Sequence, residues 1–334
     1  MKAVVVRAFG SVAGAVYGDH PDPSPGPGEV LIAVDAVETN YPDLLVIEGR
    51  YQVKPPLPFV PGKAAAGTVA ALGAGVTGLA VGQRVAAQVE YGAYAELLCA
   101  PASSCYPVPE TLSARTAAAA VLTYQTAWFA LKDRAALRPG ESVLVLGAAG
   151  GVGVAALQLA RALGAGLVIA GSRGSAKAEV LRRAGADAVV DLSRPDLRDG
   201  LREDVRRLTD ERGVDVVIDP VGGAAFEPAL RSLAWRGRHV VIGFAGGDIP
   251  VARTNYLLVR NIAVLGLQAS DYRDRWPGEA AAAQAEIFAL IARGAFAPVV
   301  SRTLPLDAFA EALACLRAGE ARGKIVLTTA GAGR

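Results

Sequence analysis

Apolar and polar positions change rhythm along this chain. From the start to about Glu110, short β-branched runs are separated by glycine and proline: Ala3 to Arg7, Val30 to Val37, Ala66 to Leu72, Gln83 to Val89 and Ala93 to Leu98. Such runs predict a β-rich region, and pieces such as Pro25-Gly26-Pro27-Gly28 and Gly73-Ala74-Gly75 supply the turns, proline fixing φ and glycine allowing it to be positive. Past about Leu112 the pattern becomes helix-periodic, interrupted by continuously apolar strands at Ser142 to Leu146, Leu167 to Ala170, Ala188 to Val190, Asp215 to Ile218 and His239 to Ile242. Strands that are apolar throughout and alternate with helices predict a parallel sheet covered on both faces. An alanine-rich helix, Glu279 to Ala292, and a last strand, Lys324 to Thr328, follow in a different rhythm and are expected to return to the first domain.

At 334 residues the chain exceeds the usual size of one core, so two domains are expected. The composition, 52% hydrophobic and 20% charged, suits an α/β protein and excludes a disordered one. Thirty-four basic residues against 32 acidic ones leave a net charge of +2 with no basic stripe, which argues against a nucleic-acid partner or an anionic membrane surface. Lysine occurs only at positions 2, 54, 63, 132, 177 and 324, arginine elsewhere, so a single arginine is a poor functional marker. No apolar run is long enough to span a bilayer, Met1 leads into a β-like segment rather than a leader, and a cytoplasmic location is expected. Cys99, Cys105 and Cys315 have neither metal-ligand nor disulfide-framework spacing and read as structural.

The strand Ser142 to Leu146 runs into Gly147-Ala148-Ala149-Gly150-Gly151-Val152-Gly153 and then an amphipathic helix closed by Gly164. This is a dinucleotide fingerprint whose first glycine is Ala148. Gly150 would let the backbone approach a pyrophosphate, Gly153 would let helix and strand pack closely, and the helix N-terminus would offer free N–H groups. The acid that would hold a 2′-hydroxyl at the end of the next strand is missing: Leu167 to Ala170 ends in Gly171-Ser172-Arg173-Gly174-Ser175-Ala176-Lys177. Two cations and two hydroxyls there suit a 2′-phosphate, and with no carboxylate in the segment the expected cofactor is NADPH.

These residues resemble the medium-chain dehydrogenase/reductase superfamily, and specifically its quinone oxidoreductase branch, which includes zeta-crystallin. The resemblance covers essentially the whole chain and rests on Asn40-Tyr41-Pro42-Asp43, Tyr51 ahead of Pro58-Phe59-Val60-Pro61-Gly62, Ala66-Gly67-Thr68-Val69, Gly82-Gln83-Arg84-Val85, Leu122 to Ala127, Gly147 to Gly153, Gly243 to Gly247 and Gly323 to Leu327. It implies an α/β protein: a GroES-like β-rich catalytic domain, 1–122 completed by 268–334, and a Rossmann doubly wound parallel-sheet domain, 123–267, with NADPH in a cleft. Thr123, Gly150, Gly151, Val152, Gly153, Ser172, Arg173, Lys177, Gly243, Phe244, Gly266, Leu267 and Lys324 would contact the cofactor; Asn40, Asp43 and Tyr51 would lie near the nicotinamide. The family pattern often has a tyrosine after the third Rossmann strand as a further 2′-phosphate contact; Asp191-Leu192 stands there instead. The resemblance also implies a homodimer or homotetramer, with Ile262 to Leu265 as the candidate edge strand.

Zinc alcohol dehydrogenases of this superfamily need cysteine or aspartate, histidine and glutamate ligands. Asn40 stands where the first cysteine would fall, and Lys63-Ala64 replaces the histidine–glutamate pair after Pro61-Gly62. His20 and His239, the only histidines, read as structural, and no metal is expected. Without a Lewis acid, the acceptor must delocalise incoming hydride charge itself, as quinones and conjugated enones do. The expected reaction is direct hydride transfer to a quinone, with Asn40 or Tyr51 meeting the oxyanion and water as proton source. Reduction of an enone, alkenal or enoyl-thioester double bond would use the same parts, and a low-turnover cofactor-binding role is the alternative from outside enzymology. Plainer readings stand beside each candidate: Asn40 as a turn amide, Tyr51 as a half-buried core aromatic, Asp43 as a helix cap.

Overall fold

The computed structural model describes residues 1–174 and 176–330; Ser175, one of the two hydroxyls expected at a 2′-phosphate, lies outside the described residues. The chain forms two compact units, Met1–Leu122 together with the segment from Ser270 onward, and Thr123–Ala269.

The first unit is built on strands β1 (Lys2–Val6), β2 (Ala15–Asp19), β3 (Glu29–Glu38), β4 (Ala64–Leu72), β5 (Arg84–Gln88), β6 (Leu97–Pro101) and β7 (Cys105–Pro107). β1 and β2 form a hairpin ribbon. The long β3 is the hub of the main sheet, pairing antiparallel with both β4 and β6. Its burial alternates along Val30, Ile32 and Val34, as period-2 side chains on a half-covered sheet require. The expected strand at Ala93 begins only at Leu97. Residues 94–96 bond to β1 instead: Val4 N–H donates to the Tyr94 carbonyl, Glu96 N–H donates to the Lys2 carbonyl, and Ala95 bridges Ala3. The Tyr94 ring is wholly buried against Gly62, where a Cβ would sit 2.2 Å from it.

The second unit contains β8 (Ser142–Val145), β9 (Leu167–Ser172), β10 (Ala188–Asp191), β11 (Val214–Asp219), β12 (Leu233–Val241) and β13 (Ala263–Gly266). They form one parallel sheet in the order β10-β9-β8-β11-β12-β13. Every residue of β8 is buried, which explains its unbroken apolar run. The order is that of a Rossmann fold and reverses between β8 and β11, the point at which such sheets receive ligands beyond the strand C-termini. β13 is an edge strand, as the apolar run Ile262 to Leu265 suggested.

From Ser270 the chain rejoins the first unit. The helix Pro277–Ala292 docks there, Gln284 donating to the Ala120 carbonyl, and β14 (Val300–Pro305) and β15 (Lys324–Thr328) extend the main sheet, β15 antiparallel to β3. β14 was not expected from the sequence because four of its six residues are exposed, so no apolar period marks it. Among the described residues no helix is long and apolar enough to cross a membrane.

Candidate functional site

In the second unit the chain leaves β8 through Gly147, at φ +59°, and enters the helix Gly151–Ala162 with Gly150 at its N-cap. A Cβ on Gly153 would lie 2.4 Å from the Gly147 carbonyl oxygen and 2.6 Å from the Ala148 Cα. Only glycine fits there, the close helix–strand packing that the fingerprint predicts. At Gly150 the nearest atom to a Cβ would be 3.4 Å away, so this face of the turn is free for a backbone approach. The first-turn N–H groups of Gly151, Val152 and Gly153 carry the positive end of the helix dipole. This cradle suits a pyrophosphate.

Across the topological switch, β11 ends in Asp219-Pro220-Val221-Gly222. Asp219 Oδ1 accepts the N–H groups of Val221 and Gly222, both at 2.8 Å, and its Oδ2 lies 2.9 Å from His239 Nε2. Both side chains are fully buried. His239, read from the sequence as structural, thus holds the carboxylate that shapes this turn. Gly246 N–H in turn donates to the Val221 carbonyl, which fixes the loop containing Gly243 and Phe244 beside it; Phe244 is exposed. Gly266 and Leu267 close β13, the Gly266 carbonyl accepting from Arg134 Nε. Thr123 is buried in the helix Leu122–Phe129.

At the end of β9, Ser172 is buried, Arg173 is exposed, and Lys177 begins the helix Ala178–Arg183. One expectation is corrected here. A carboxylate does reach this loop: Asp191 pairs in register with Ser172, and its Oδ1 accepts from Gly174 N–H at 2.9 Å and from Ser193 N–H and Oγ. The Ser193 and Gly174 bonds hold its pKa below the ordinary value. From the sequence Asp191 was read only as standing where a tyrosine is often found; its bond to Gly174 follows from its place on the next strand of the sheet. Its bonding to Gly174 makes it a brace of the loop as well as a negative charge beside it.

In the first unit Asn40 is the N-cap of the helix Tyr41–Ile47 and is only 3% exposed. Lys324 Nζ donates to its Oδ1 at 2.8 Å, to the Thr39 carbonyl at 2.8 Å, and pairs with Glu38 Oε1 at 2.5 Å. An ammonium has three donors, and all three are engaged. Lys324, expected above at the cofactor, here orients Asn40. With Oδ1 facing a cation, the Asn40 amide can only present its NH₂ elsewhere; its one bond there, to the Glu38 carbonyl, is long at 3.4 Å.

Asp43 Oδ2 accepts from the Asn40 backbone N–H at 2.8 Å and from the Tyr94 hydroxyl at 3.0 Å. Its Oδ1 is buried with no hydrogen-bond partner. Burial is the largest influence and pushes its pKa up to about 6, against the opposing pull of the Asn40 N–H, Lys63, Tyr94 and Lys324. Asp43 thus works on the backbone of Asn40, as a cap does.

Lys63 is 2% exposed. It donates to Glu90 Oε2 at 2.6 Å and to the Glu90 carbonyl at 3.1 Å, and lies 4.3 Å from the centre of the Tyr51 ring. Glu90 is shared with the buried guanidinium of Arg273 at 2.6 Å. The sequence reading missed Glu90 and Arg273, which are 183 residues apart and carry no motif; a buried lysine at position 63 was the available clue. Tyr51 is half-buried, and burial, with the charges of Glu90 and Asp43, pushes its hydroxyl up to about 12. It can donate a hydrogen bond at neutral pH and does not ionise there. Among the described residues no group of three or more His, Cys, Asp or Glu side chains could hold a metal: the two positions where ligands would fall are taken by Asn40 and Lys63, each held by its own partner.

Two family models match the chain, the alcohol dehydrogenase GroES-like domain over residues 26–110 and the zinc-binding dehydrogenase domain over 151–285. A quinone oxidoreductase-like protein 2 homologue of Nematostella vectensis is 35% identical over 306 residues, which cover 91% of this chain and 82% of the relative. The chain belongs to the quinone oxidoreductase family of medium-chain dehydrogenase/reductases. Solved members of similar structure include a mycobacterial protein complexed with NADPH, 35% identical with a TM-score of 0.91 over 98% of this chain and all of that one. The Escherichia coli quinone oxidoreductase complexed with NADPH is 28% identical, with a TM-score of 0.89 over 98% of this chain and all of that one. Membership of this family accounts for both the GroES-like sheet and the Rossmann order of β8 to β13.

Proposed function

We propose that this protein reduces quinones with NADPH by direct hydride transfer and without a metal. The observation that carries the reading is the fate of the two positions at which catalytic ligands would fall: Asn40 is fixed by Lys324 and Lys63 by Glu90, so hydrogen bonding must replace Lewis acidity. The glycine turn after β8 fits a pyrophosphate, and Gly150, Gly151, Val152 and Gly153 would hold it. Ser172, Arg173 and Lys177 would meet a 2′-phosphate, with Asp191 bracing Gly174 beneath them. Thr123, Gly243, Phe244, Gly266 and Leu267 would line the rest of the cofactor. NADPH, when bound, supplies a hydride from its nicotinamide.

The chain's own contribution is orientation and hydrogen bonding. The Asn40 NH₂, turned by Lys324, and the Tyr51 hydroxyl, kept protonated, are the donors available to an oxygen on which negative charge develops. Neither is an acid at neutral pH, so water supplies the proton that completes the hydroquinone. Such a site favours acceptors that spread charge over a conjugated system. A second copy pairing along β13 would give the expected dimer.

The test follows loss of reduced-nicotinamide absorbance on adding 1,4-benzoquinone, 9,10-phenanthrenequinone or an α,β-unsaturated ketone to the protein with NADPH or NADH, the uncatalysed rate being subtracted. Quinone turnover that is faster with NADPH is expected. Faster turnover of the enone than of either quinone would overturn the substrate class, and NADH preference would overturn the 2′-phosphate assignment.

A further inference from the structure

At the opposite end of the Rossmann sheet, where β11 and β12 begin, a cavity of about 110 Å³ is lined by Arg202, Arg206, Arg212, Arg231, Arg260 and Glu211, with Gly213, Ser232 and Leu233 forming the rest of its wall. The nucleotide turn follows the C-terminal end of its strand, so the length of β11, about 20 Å at the usual rise, separates the two places. Arg202, Arg206, Arg231 and Arg260 are half-buried and Arg212 is exposed. The space is several times the roughly 10–15 Å³ a single water needs.

Charge at this cavity is unbalanced. Arg206 pairs with Glu211, and Arg231 pairs with Glu227 at 2.9 Å. Among the described residues Arg202, Arg212 and Arg260 form no ion pair; Arg260 only donates to the Leu233 carbonyl at 3.4 Å. Arg206, Arg231 and Arg260 also stand in the last turns of the helices Leu197–Leu208, Gly223–Arg231 and Thr254–Arg260, where each helix end offsets about half a charge. Two carboxylates and three helix ends against five guanidinium groups leave roughly one and a half positive charges uncompensated. Arg202 and Arg206, four residues apart, share one helix face. Helix-dipole compensation accounts for Arg206, Arg231 and Arg260; Arg202 and Arg212 line the same cavity without a helix end to offset them.

We propose that this cavity is a second anion site, distinct from the nucleotide turn, that takes a phosphate group: a tetrahedral mono- or dianion matches both the surplus charge and the planar donors of converging guanidinium groups. The phosphate is either the free ion or that of a small phosphate monoester.

Calorimetric titration of the 334-residue protein with inorganic phosphate, at ionic strength held constant with chloride, tests this. Saturable binding is expected, weakened roughly tenfold or more in Arg202→Gln/Arg260→Gln and unchanged in Arg302→Gln, an exposed arginine of β14 in the first unit. Absence of saturable binding, or the reverse pattern in the two variants, would overturn the site. If the arginine double variant fails to fold, Arg212→Gln, an exposed position, serves in its place, and wild-type affinity in that variant would equally overturn it. Titration with glycerol phosphate separates the sources: tighter binding than the free ion supports a monoester, weaker binding supports inorganic phosphate. The site does not depend on the quinone reading, since the measurement uses no acceptor and no nicotinamide.

Discussion

Replacing Asp43 by asparagine should change how the stability of this protein depends on pH. The carboxyl is fully buried and its Oδ1 is unpartnered, and its pKa rises from 3.8 to about 6. Two units or so at 1.36 kcal/mol each amount to about 3 kcal/mol. The sign follows from proton binding. Between about pH 4 and about pH 6 the folded state holds this proton and the unfolded state has lost it, so stability falls as pH rises through that window. Above about pH 6 the whole penalty is present, and below about pH 4 it is gone. In Asp43→Asn the amide oxygen can accept from Asn40 and Tyr94 while the NH₂ takes the place of the unpartnered Oδ1, and nothing titrates. Groups that do not interact with Asp43 titrate alike in both proteins and cancel. Urea unfolding of wild type and variant from about pH 4 to about pH 8 should therefore give a stability difference that moves by about 3 kcal/mol in favour of the variant as pH rises. A flat difference, or one moving the other way, would mean that the Asn40 N–H, Tyr94 and the two lysines outweigh burial, and the reasoning would fail.

Glu90→Gln should destabilise the first unit by about 3 kcal/mol, the lower end for breaking a buried ion pair, because Glu90 keeps 22% of its side chain exposed; thermal unfolding measures it, and a loss under about 1 kcal/mol would show that Lys63 and Arg273 find other partners. Gly153→Ala forces a Cβ to within 2.4 Å of a carbonyl oxygen and should cost about 1–3 kcal/mol while abolishing the fluorescence change on adding NADPH; retained cofactor binding would place the pyrophosphate elsewhere. Lys177→Ala should raise the KM for NADPH by roughly tenfold to a hundredfold, the worth of a charge-assisted hydrogen bond, and leave that for NADH unchanged. Equal effects on both cofactors would remove Lys177 from the 2′-phosphate site.

The buried polar groups of the first unit act on one another more than on solvent. Glu38, Lys324 and Asn40 form one linked set, Asp43 joins it through the Asn40 backbone and Tyr94, and Lys63, Glu90 and Arg273 form a second beneath Tyr51. Removing one member leaves a charge stranded in a low-dielectric interior, which is why such networks hold a single geometry. In the mechanism proposed above, that rigidity would keep the Asn40 amide in one orientation.

The sequence by itself determined most of what depends on local period and local backbone geometry. The buried strands of the Rossmann sheet were legible because a strand covered on both faces carries a nearly unbroken apolar run, as Val143 to Val145 of β8 do. The glycine turn after β8 was legible because Gly153 admits no side chain and its neighbours in sequence are also its neighbours in space. The tertiary structure decided what depends on residues distant in the chain. It brought Asp191 to Gly174 by strand register, set Lys324 against Asn40, and joined Lys63 to Arg273 through Glu90. It also gathered the last turns of three helices around one cavity, and it added β14, whose mostly exposed residues leave no period to read. Hydrophobic pattern records which side of an element is buried; it does not record which charge a buried charge will meet.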